Sequence, residues 1–264
     1  MISPLLANIA LGAIEERYER WVHHRTKIHA DRQCDGITAA RHCRAFDRRR
    51  GVPVFFPIRY ADDFVILVAG SRADAEAEKA ALASYLQEVT GLTPSAEKTR
   101  ITDLREGFEF LGHRVRMKWH PKFGLMPRIE IPKRKQADLR YRVKRETRRD
   151  SLRRSLTDRL QRLNLMLRGW GNCYRFCTGA SVIFRSLDFY VGERLWRWLM
   201  KKHKGLRRPR SSIRRQPSLG RPTRKVWRDG NTEQFLLATL RVQRFRRGWM
   251  PLPRFAYVPG EPDA

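Results

Sequence analysis

Acidic residues are scarce in this chain. Of 264 residues, 27 are Asp or Glu against 56 Lys or Arg, a formal net charge of +29. Self-repulsion of that size serves no globular fold, and a polyanionic partner, nucleic acid first, would relieve it. Long apolar runs are missing as well. No stretch of about 18 apolar residues exists to cross a membrane. The basic segments alternate with Pro and Gly instead of forming one amphipathic helix, which argues against binding to an anionic membrane surface. Met1 to Ile14 carries neither a basic leader nor a cleavage-like site, so no secretory signal is read there. Cysteines are few: Cys34, Cys43, Cys173 and Cys177. Cys173 and Cys177 would share a helix face and His42-Cys43 lies near Cys34, yet neither pair has zinc-knuckle spacing. Reduced, partly buried thiols in a cytoplasmic protein are the reading. There is no internal repeat and no simple low-complexity tract.

What the chain does contain begins with two acids set between apolar runs. Val52 to Ile58 leads into Arg59-Tyr60-Ala61-Asp62-Asp63, and Phe64 to Ala69 follows, which reads as strand, tight turn, strand. Adjacent carboxylates so close to buried strands repel each other, and a divalent cation is the ordinary offset. An Asp-Asp turn without a ligand is the alternative, since Asp is a favoured turn residue.

Around that hairpin the periodicity predicts further elements. Ser3 and Pro4 cap and open a helix that runs at helical spacing to about Val22. Residues 23–51 are polar and weakly periodic, an irregular or partly helical insertion in which Phe46-Asp47 lies in a loop-like basic segment. Ala75 to Val89, with Ala81, Leu82, Tyr85, Leu86 and Val89 on one face, is the clearest helix, stopped by Gly91. Glu97-Lys98-Thr99 forms a loop feeding a strand from Arg100 to Leu104. Phe108 to Met117 and Leu125 to Ile131 make a second hairpin.

Composition shifts at Pro132. Between Lys133 and Arg162 thirteen Lys or Arg face four acids, with leucines at roughly helical intervals. One or two basic helices, packed on one side and open to phosphate on the other, are expected. Residues 163–176 continue helical despite their glycines, and Phe184 to Lys202 is a third helical block. From Arg194 to Arg228 there are fourteen basic residues and no acid. Broken by Pro209, Pro217 and Pro222, this run is expected to stay extended until a polyanion arrives. Trp196, Trp198, Trp227, Phe235, Phe245 and Trp249, interleaved with arginines, point to RNA or DNA contact, with a merely solvated tail as the alternative.

In chain order, Ser3-Pro4-Leu5-Leu6-Ala7-Asn8-Ile9, Tyr60-Ala61-Asp62-Asp63, Glu97-Lys98-Thr99, Phe110-Leu111-Gly112 and Arg168-Gly169-Trp170 resemble successive motifs of group II intron reverse transcriptases with their maturase domain. The resemblance covers most of residues 1–205, and no single motif would carry it. It implies an α+β fold: a partial right-hand polymerase palm over 1–131, built of β-hairpins with packed helices, and an all-α basic thumb and maturase domain over 132–205. A basic, aromatic-containing region, 206–264, follows as a tail. By the same resemblance Asp62 would ligate catalytic Mg²⁺ and Asp63 would support that metal site. Tyr60 would pack near the primer end, Lys98 would lie near the incoming triphosphate, and Ser3 and Pro4 would belong to the nucleotide- and template-contacting motif. Phe110, Leu111 and Gly112 would form the primer grip. Arg168, Trp170 and Arg175, with Arg197, Lys201 and Lys202, would contact RNA. The implied activity is Mg-dependent RNA-directed DNA polymerisation, with RNA splicing support as a maturase in a mobile element. The implied partners are intron RNA and a DNA primer or target.

One departure weakens the catalytic part. The family pattern places a Gln-Gly pair, a strand bearing a further metal-binding Asp, and the fingers before the Ser-Pro motif, all of which would precede Met1. Phe46-Asp47 imitates the missing Asp motif but follows the Ser-Pro helix, in the wrong order. With Asp62 and Asp63 alone, metal binding should be weak, and polymerisation is expected only with a separate N-terminal fragment. A non-enzymatic RNA-binding maturase remnant, or a decayed mobile-element fragment, is the alternative reading.

Overall fold

In the computed structural model, which describes residues 8–22, 36–95, 97–122, 124–204, 215–221 and 223–242, helices and strands form a mixed α+β arrangement. The chain divides into two units, Met1–Thr102 and Asp103–Ala264. Among the described residues no helix is long and apolar enough to cross a membrane.

The first unit contains helices α1 (Gly12–Arg17), α2 (Glu19–Val22) and α3 (Gly36–Arg49), a hairpin of β1 (Val54–Tyr60) and β2 (Asp63–Ala69), and helix α4 (Arg72–Thr90). The hairpin is antiparallel from Val54 opposite Ala69 to Tyr60 opposite Asp63. Its alternation puts Phe55, Phe64 and Ile66 against a core of Leu11, Ile14, Tyr18, Leu82 and Leu86. Helix α4 starts where Ser71 and Asp74 form a reciprocal capping box, and it ends at Gly91 with φ +69. Of the face expected to be buried, Leu82 and Leu86 are; Tyr85 is half-buried, and Ala81 and Val89 are exposed.

Two polar locks hold the unit. Glu78 of α4 accepts from Arg17 Nε at 2.8 Å and from the Tyr18 hydroxyl at 2.7 Å. Asp47 accepts from Arg20 through both oxygens at 2.9 Å and from Trp21 Nε1 at 2.9 Å. The Arg20 hydrogen bond holds the Asp47 carboxyl below the usual carboxylate range. Two expectations are corrected here. Phe46-Asp47 lies in helix α3, not in a loop, and Asp47 is a buried tie between helices. The described part of the N-terminal helix is interrupted at Tyr18, where the ring turns inward to reach Glu78; Ser3 and Pro4 lie outside the described residues.

The second unit opens with a meander of β3 (Phe108–Phe110), β4 (His113–His120) and β5 (Gly124–Glu130). The strand expected over Arg100 to Leu104 does not form: residues 100–103 lack regular structure and 104–106 turn. Leu111 (φ +48) and Gly112 (φ +74) close the β3–β4 hairpin, both left-handed, as a two-residue turn of the primed class requires. Helices α5 (Lys133–Glu146), α6 (Leu156–Tyr174) and α7 (Ala180–Lys202) follow, with a 3-10 helix (Arg149–Arg153) between α5 and α6. Leu139 and Val143 of α5, Leu160, Leu163 and Leu167 of α6, and Phe184, Leu187, Val191, Leu195 and Trp198 of α7 meet in one core. Their three- and four-residue spacing is the apolar stripe of a helix bundle.

The basic run after α7 differs from expectation. Residues 205–214 lie outside the described residues, but β6 (Gln216–Pro217), β7 (Lys225–Val226), β8 (Arg228–Asp229), β9 (Thr232–Glu233) and a 3-10 turn (Leu237–Thr239) fold onto the helices. Trp227 is buried and donates Nε1–H to the Gly192 carbonyl at 3.0 Å. Asn164 gives its amide N–H to Glu233 O and accepts from Phe235 N, at 2.8 Å each. At Gly171 an added Cβ would stand 2.4 Å from Leu240 Cδ1 and 2.7 Å from Leu237 Cδ2, so glycine lets both leucines close onto α6. Phe235, Leu237, Leu240 and Val242, packed on the helical core, and a caged indole give this segment reason to fold without a polyanion. Trp198 and Trp227 are core residues, not surface aromatics.

Asp188 of α7 accepts from Leu237 N and Ala238 N at 2.8 and 2.9 Å, capping the last turn. Burial pushes its carboxyl up to about 6, against the two N–H groups that favour the charge. The folded state then holds a proton that the unfolded chain releases from about pH 4 upward. The contribution of Asp188 to stability therefore falls as pH rises through that window. In calorimetric melts between about pH 7 and pH 5, the parent should gain Tm relative to Asp188→Asn on acidification. A constant difference between the two would contradict the assignment.

Candidate nucleic-acid interface

Two places carry chemistry, one in each unit. The first is the tip of the β1–β2 hairpin, where Tyr60, Asp62 and Asp63 are all exposed. Ala61 sits in the left-handed region at φ +54. The tip is tied from below by Arg59, which donates to Glu15 Oε1 at 2.8 Å, to Asn8 Oδ1 at 2.9 Å and, weakly, to Ala61 O at 3.4 Å. Lys98 is exposed in a turn in which its own N–H donates to Ser95 O at 3.2 Å.

The donor set at this tip does not fit a resident Mg²⁺ by itself. Two neighbouring, exposed carboxylates supply few of the oxygens that octahedral coordination takes from a protein and its substrate. Among the described residues no group of three or more His, Cys, Asp or Glu converges to hold a metal. The thiols add nothing: Cys43 is half-buried, Cys173 exposed and Cys177 buried, all free, and burial pushes the Cys177 thiol up to about 11.

The second place is built by arginines in the second unit. Helix α5 ends at Thr147, whose hydroxyl donates to Val143 O at 2.8 Å, and the chain folds through the 3-10 helix into α6. Ser155 caps α6 by accepting from Asp158 N at 3.1 Å. The bend is fixed from α7: Trp198 donates to Ser151 Oγ at 2.9 Å, and Lys202 Nζ donates to the carbonyls of Leu152 and Arg154 at 2.8 Å each. Folded this way, Arg145, Arg148, Arg154, Arg159 and Arg162 line an open depression of about 350 Å³ with Glu146, Asp150 and Ser151.

Electrostatics in this depression divide by depth. Arg159 is buried and pairs with Glu146 at 2.7 Å and Asp158 at 3.0 Å, while its Nε has no partner. The Arg159 hydrogen bond holds Asp158 below the usual carboxylate range. Arg145, Arg148 and Arg154 are exposed and form no ion pair among the described residues. Three unpaired guanidinium forks on a concave wall are suited to phosphate oxygens, which they can grip bidentately.

The remaining residues singled out from sequence are dispersed. Arg168 is exposed with its guanidinium carbon 5.2 Å from the Phe235 ring. Trp170 is half-buried against Tyr174 and Phe184, with ring centroids at 4.6 and 6.0 Å. Arg175 is half-buried beside Phe176. Arg197 and Lys201 are exposed, whereas the Lys202 ammonium is engaged by the two carbonyls above. Phe110, Leu111 and Gly112 form the β3–β4 turn, and Gly112 O accepts from the Tyr174 hydroxyl at 3.3 Å. The arginine depression was visible in the sequence only as charge density over 133–162. Its convergence depends on a 3-10 bend that no periodicity announces.

Residues 136–216, from within α5 to the start of β6, match the family model described as the group II intron, maturase-specific domain. That span is consistent with a group II intron maturase fragment. Among curated proteins it is similar to Protein YkfC of Escherichia coli (strain K12), 32% identical over 116 residues. That alignment covers 44% of this chain and 30% of YkfC. The arginine depression lies inside the matched family span; the Asp62-Asp63 tip lies outside it.

An exposed turn acid held by none of the ties described above should be dispensable for folding. Asp62→Asn is expected to change unfolding free energy in urea by less than about 0.5 kcal/mol. A loss well above that would make Asp62 a structural turn residue.

Proposed function

We propose that this protein binds structured intron RNA through the arginine depression of its maturase-specific domain, as a maturase-type partner of the RNA's folding. The observation that carries this reading is the convergence of Arg145, Arg148 and Arg154, exposed and without ion pairs, on one concave surface inside the matched span. Arg159, Glu146 and Asp158 hold the wall in place from behind, and Arg162 adds a fifth guanidinium at its edge. The charge surplus of the whole chain supplies non-specific attraction, and the depression supplies position.

Binding of this kind releases counterions, so log affinity should fall linearly with log salt by about 0.7 to 0.9 per phosphate contacted. The triple variant Arg145→Gln, Arg148→Gln, Arg154→Gln should lower that slope by about 2 to 3 on a structured group II intron RNA. A slope unchanged in the triple variant, measured by filter binding across a salt series, would remove the depression from the interface.

A second reading is favoured by the Tyr60-Ala61-Asp62-Asp63 tip: RNA-directed DNA polymerisation by a right-hand palm and thumb. Here Asp62 and Asp63 would supply two carboxylates toward a Mg²⁺ ion, which would need further oxygen ligands to be held. Lys98 and the Phe110-Leu111-Gly112 turn would serve triphosphate and primer, and a DNA primer or target would be the second partner. Primer extension on an RNA template, parent against Asp62→Asn, distinguishes this reading from RNA binding alone.

A further inference from the structure

Helix α7 buries one face in the core and presents another that the maturase reading has not used. Val182, Phe189 and Trp196 lie seven residues apart, so they return to nearly the same side of the helix every two turns, about 10 Å apart along its axis. Their exposures are 65%, 68% and 37%. Two aromatic rings left this exposed on one helix face call for an explanation, since such rings carry much of the burial energy available to a core.

Cations line both banks of this face. On the α5 side Arg140 donates to Ser186 Oγ at 3.4 Å and lies 5.8 Å from the Tyr190 ring. On the other side Gly192 leaves room for Arg215: a Cβ there would stand 2.5 Å from Arg215 Nη2. The Arg215 guanidinium also lies over the Trp227 ring at 5.5 Å, and Gly192, against which it packs, is about one helical turn along α7 from both Phe189 and Trp196. Arg185 and Arg197 are exposed on the helix itself. Glu193, half-buried, is the one acid on the face among the described residues.

We infer that this face of α7 is a stacking platform for unpaired bases of a nucleic-acid strand, with Phe189 and Trp196 under the bases and Arg140 and Arg215 on the phosphates. The inference rests on the RNA-binding reading above and specifies single-stranded substrate for a different surface. A protein partner fits less well. Ser186 and Glu193 interrupt the apolar side chains, so they form no contiguous patch, and four guanidiniums border them. Aromatic rings spaced along a cationic trough suit a strand whose bases can splay out.

The test uses the full chain and two fluorescent probes, a short oligouridylate and a blunt RNA duplex, at fixed salt. The double variant Phe189→Leu, Trp196→Leu should bind oligouridylate roughly 5- to 100-fold more weakly and the duplex within about twofold of the parent. Phe189→Trp should retain oligouridylate binding, which guards against a variant that merely folds poorly. Arg140→Gln with Arg215→Gln should weaken oligouridylate binding and flatten its salt dependence. Equal loss of both probes in the leucine variant, or loss of neither, overturns the inference. The second outcome includes the case in which sedimentation shows that the leucine variant has lost self-association. If the arginine triple variant loses structured RNA while the leucine variant keeps oligouridylate, the platform alone fails. If the parent binds no RNA, both readings fail.

Discussion

A buried guanidinium sets the geometry of the second unit. Arg159 reaches from the first turn of α6 to Glu146 at the end of α5 and to its own neighbour Asp158. Both carboxylates keep contact with water, at 27% and 34% exposure, so they hold the guanidinium in place without themselves being fully desolvated. Exposed pairs on the same helices, such as Arg162 with Asp158 at 3.7 Å, contribute about 0 to 1 kcal/mol. The corner between α5 and α6 is therefore held from within by Arg159 and from α7 by Trp198 and Lys202, and the surface arginines around it are left available. A single bend thus closes the helical core and gathers cations that would otherwise repel one another along an extended chain.

The first unit follows the same logic with opposite roles. There the carboxylates are the deep groups: Glu78 and Asp47 each collect two donors from the N-terminal helices. The pair that drew attention in the sequence, Asp62 and Asp63, is left exposed at the hairpin tip. Position in the fold, not residue type, separates the acids that hold structure from those that are free to meet a ligand.

Much of this was legible from sequence where the signal was local. Ser71 and Asp74 announce the start of α4 and Gly91 its end, because capping acts within four residues. The two hairpins follow from alternation, and α5 to α7 from leucine spacing. What failed was long-range. Trp227 looks like one more aromatic among arginines until its indole meets the Gly192 carbonyl, 35 residues away. Residues 100–104 have strand composition but no partner strand. Asp47 lies in a helix rather than a loop, and its carboxylate is taken up by Arg20 and Trp21, 27 and 26 residues away. Charge density over 133–162 indicated a phosphate-facing surface, but which arginines converge was decided by Trp198 and Lys202 reaching back from α7.

The clamp formed by residues 215–242 has a consequence for how the chain is made. Its anchoring contacts bridge long separations: Phe235 to Asn164, Leu237 to Asp188, Leu237 and Leu240 to Gly171. On the ribosome, α6 and α7 are synthesised well before the segment that covers them. At about 5 to 20 residues per second, the seam beside Gly171 and Gly192 stays open to water for several seconds. Nascent chains halted before Phe235 would thus leave this seam of α6 and α7 uncovered, a surface for chaperones to meet that the finished protein no longer displays.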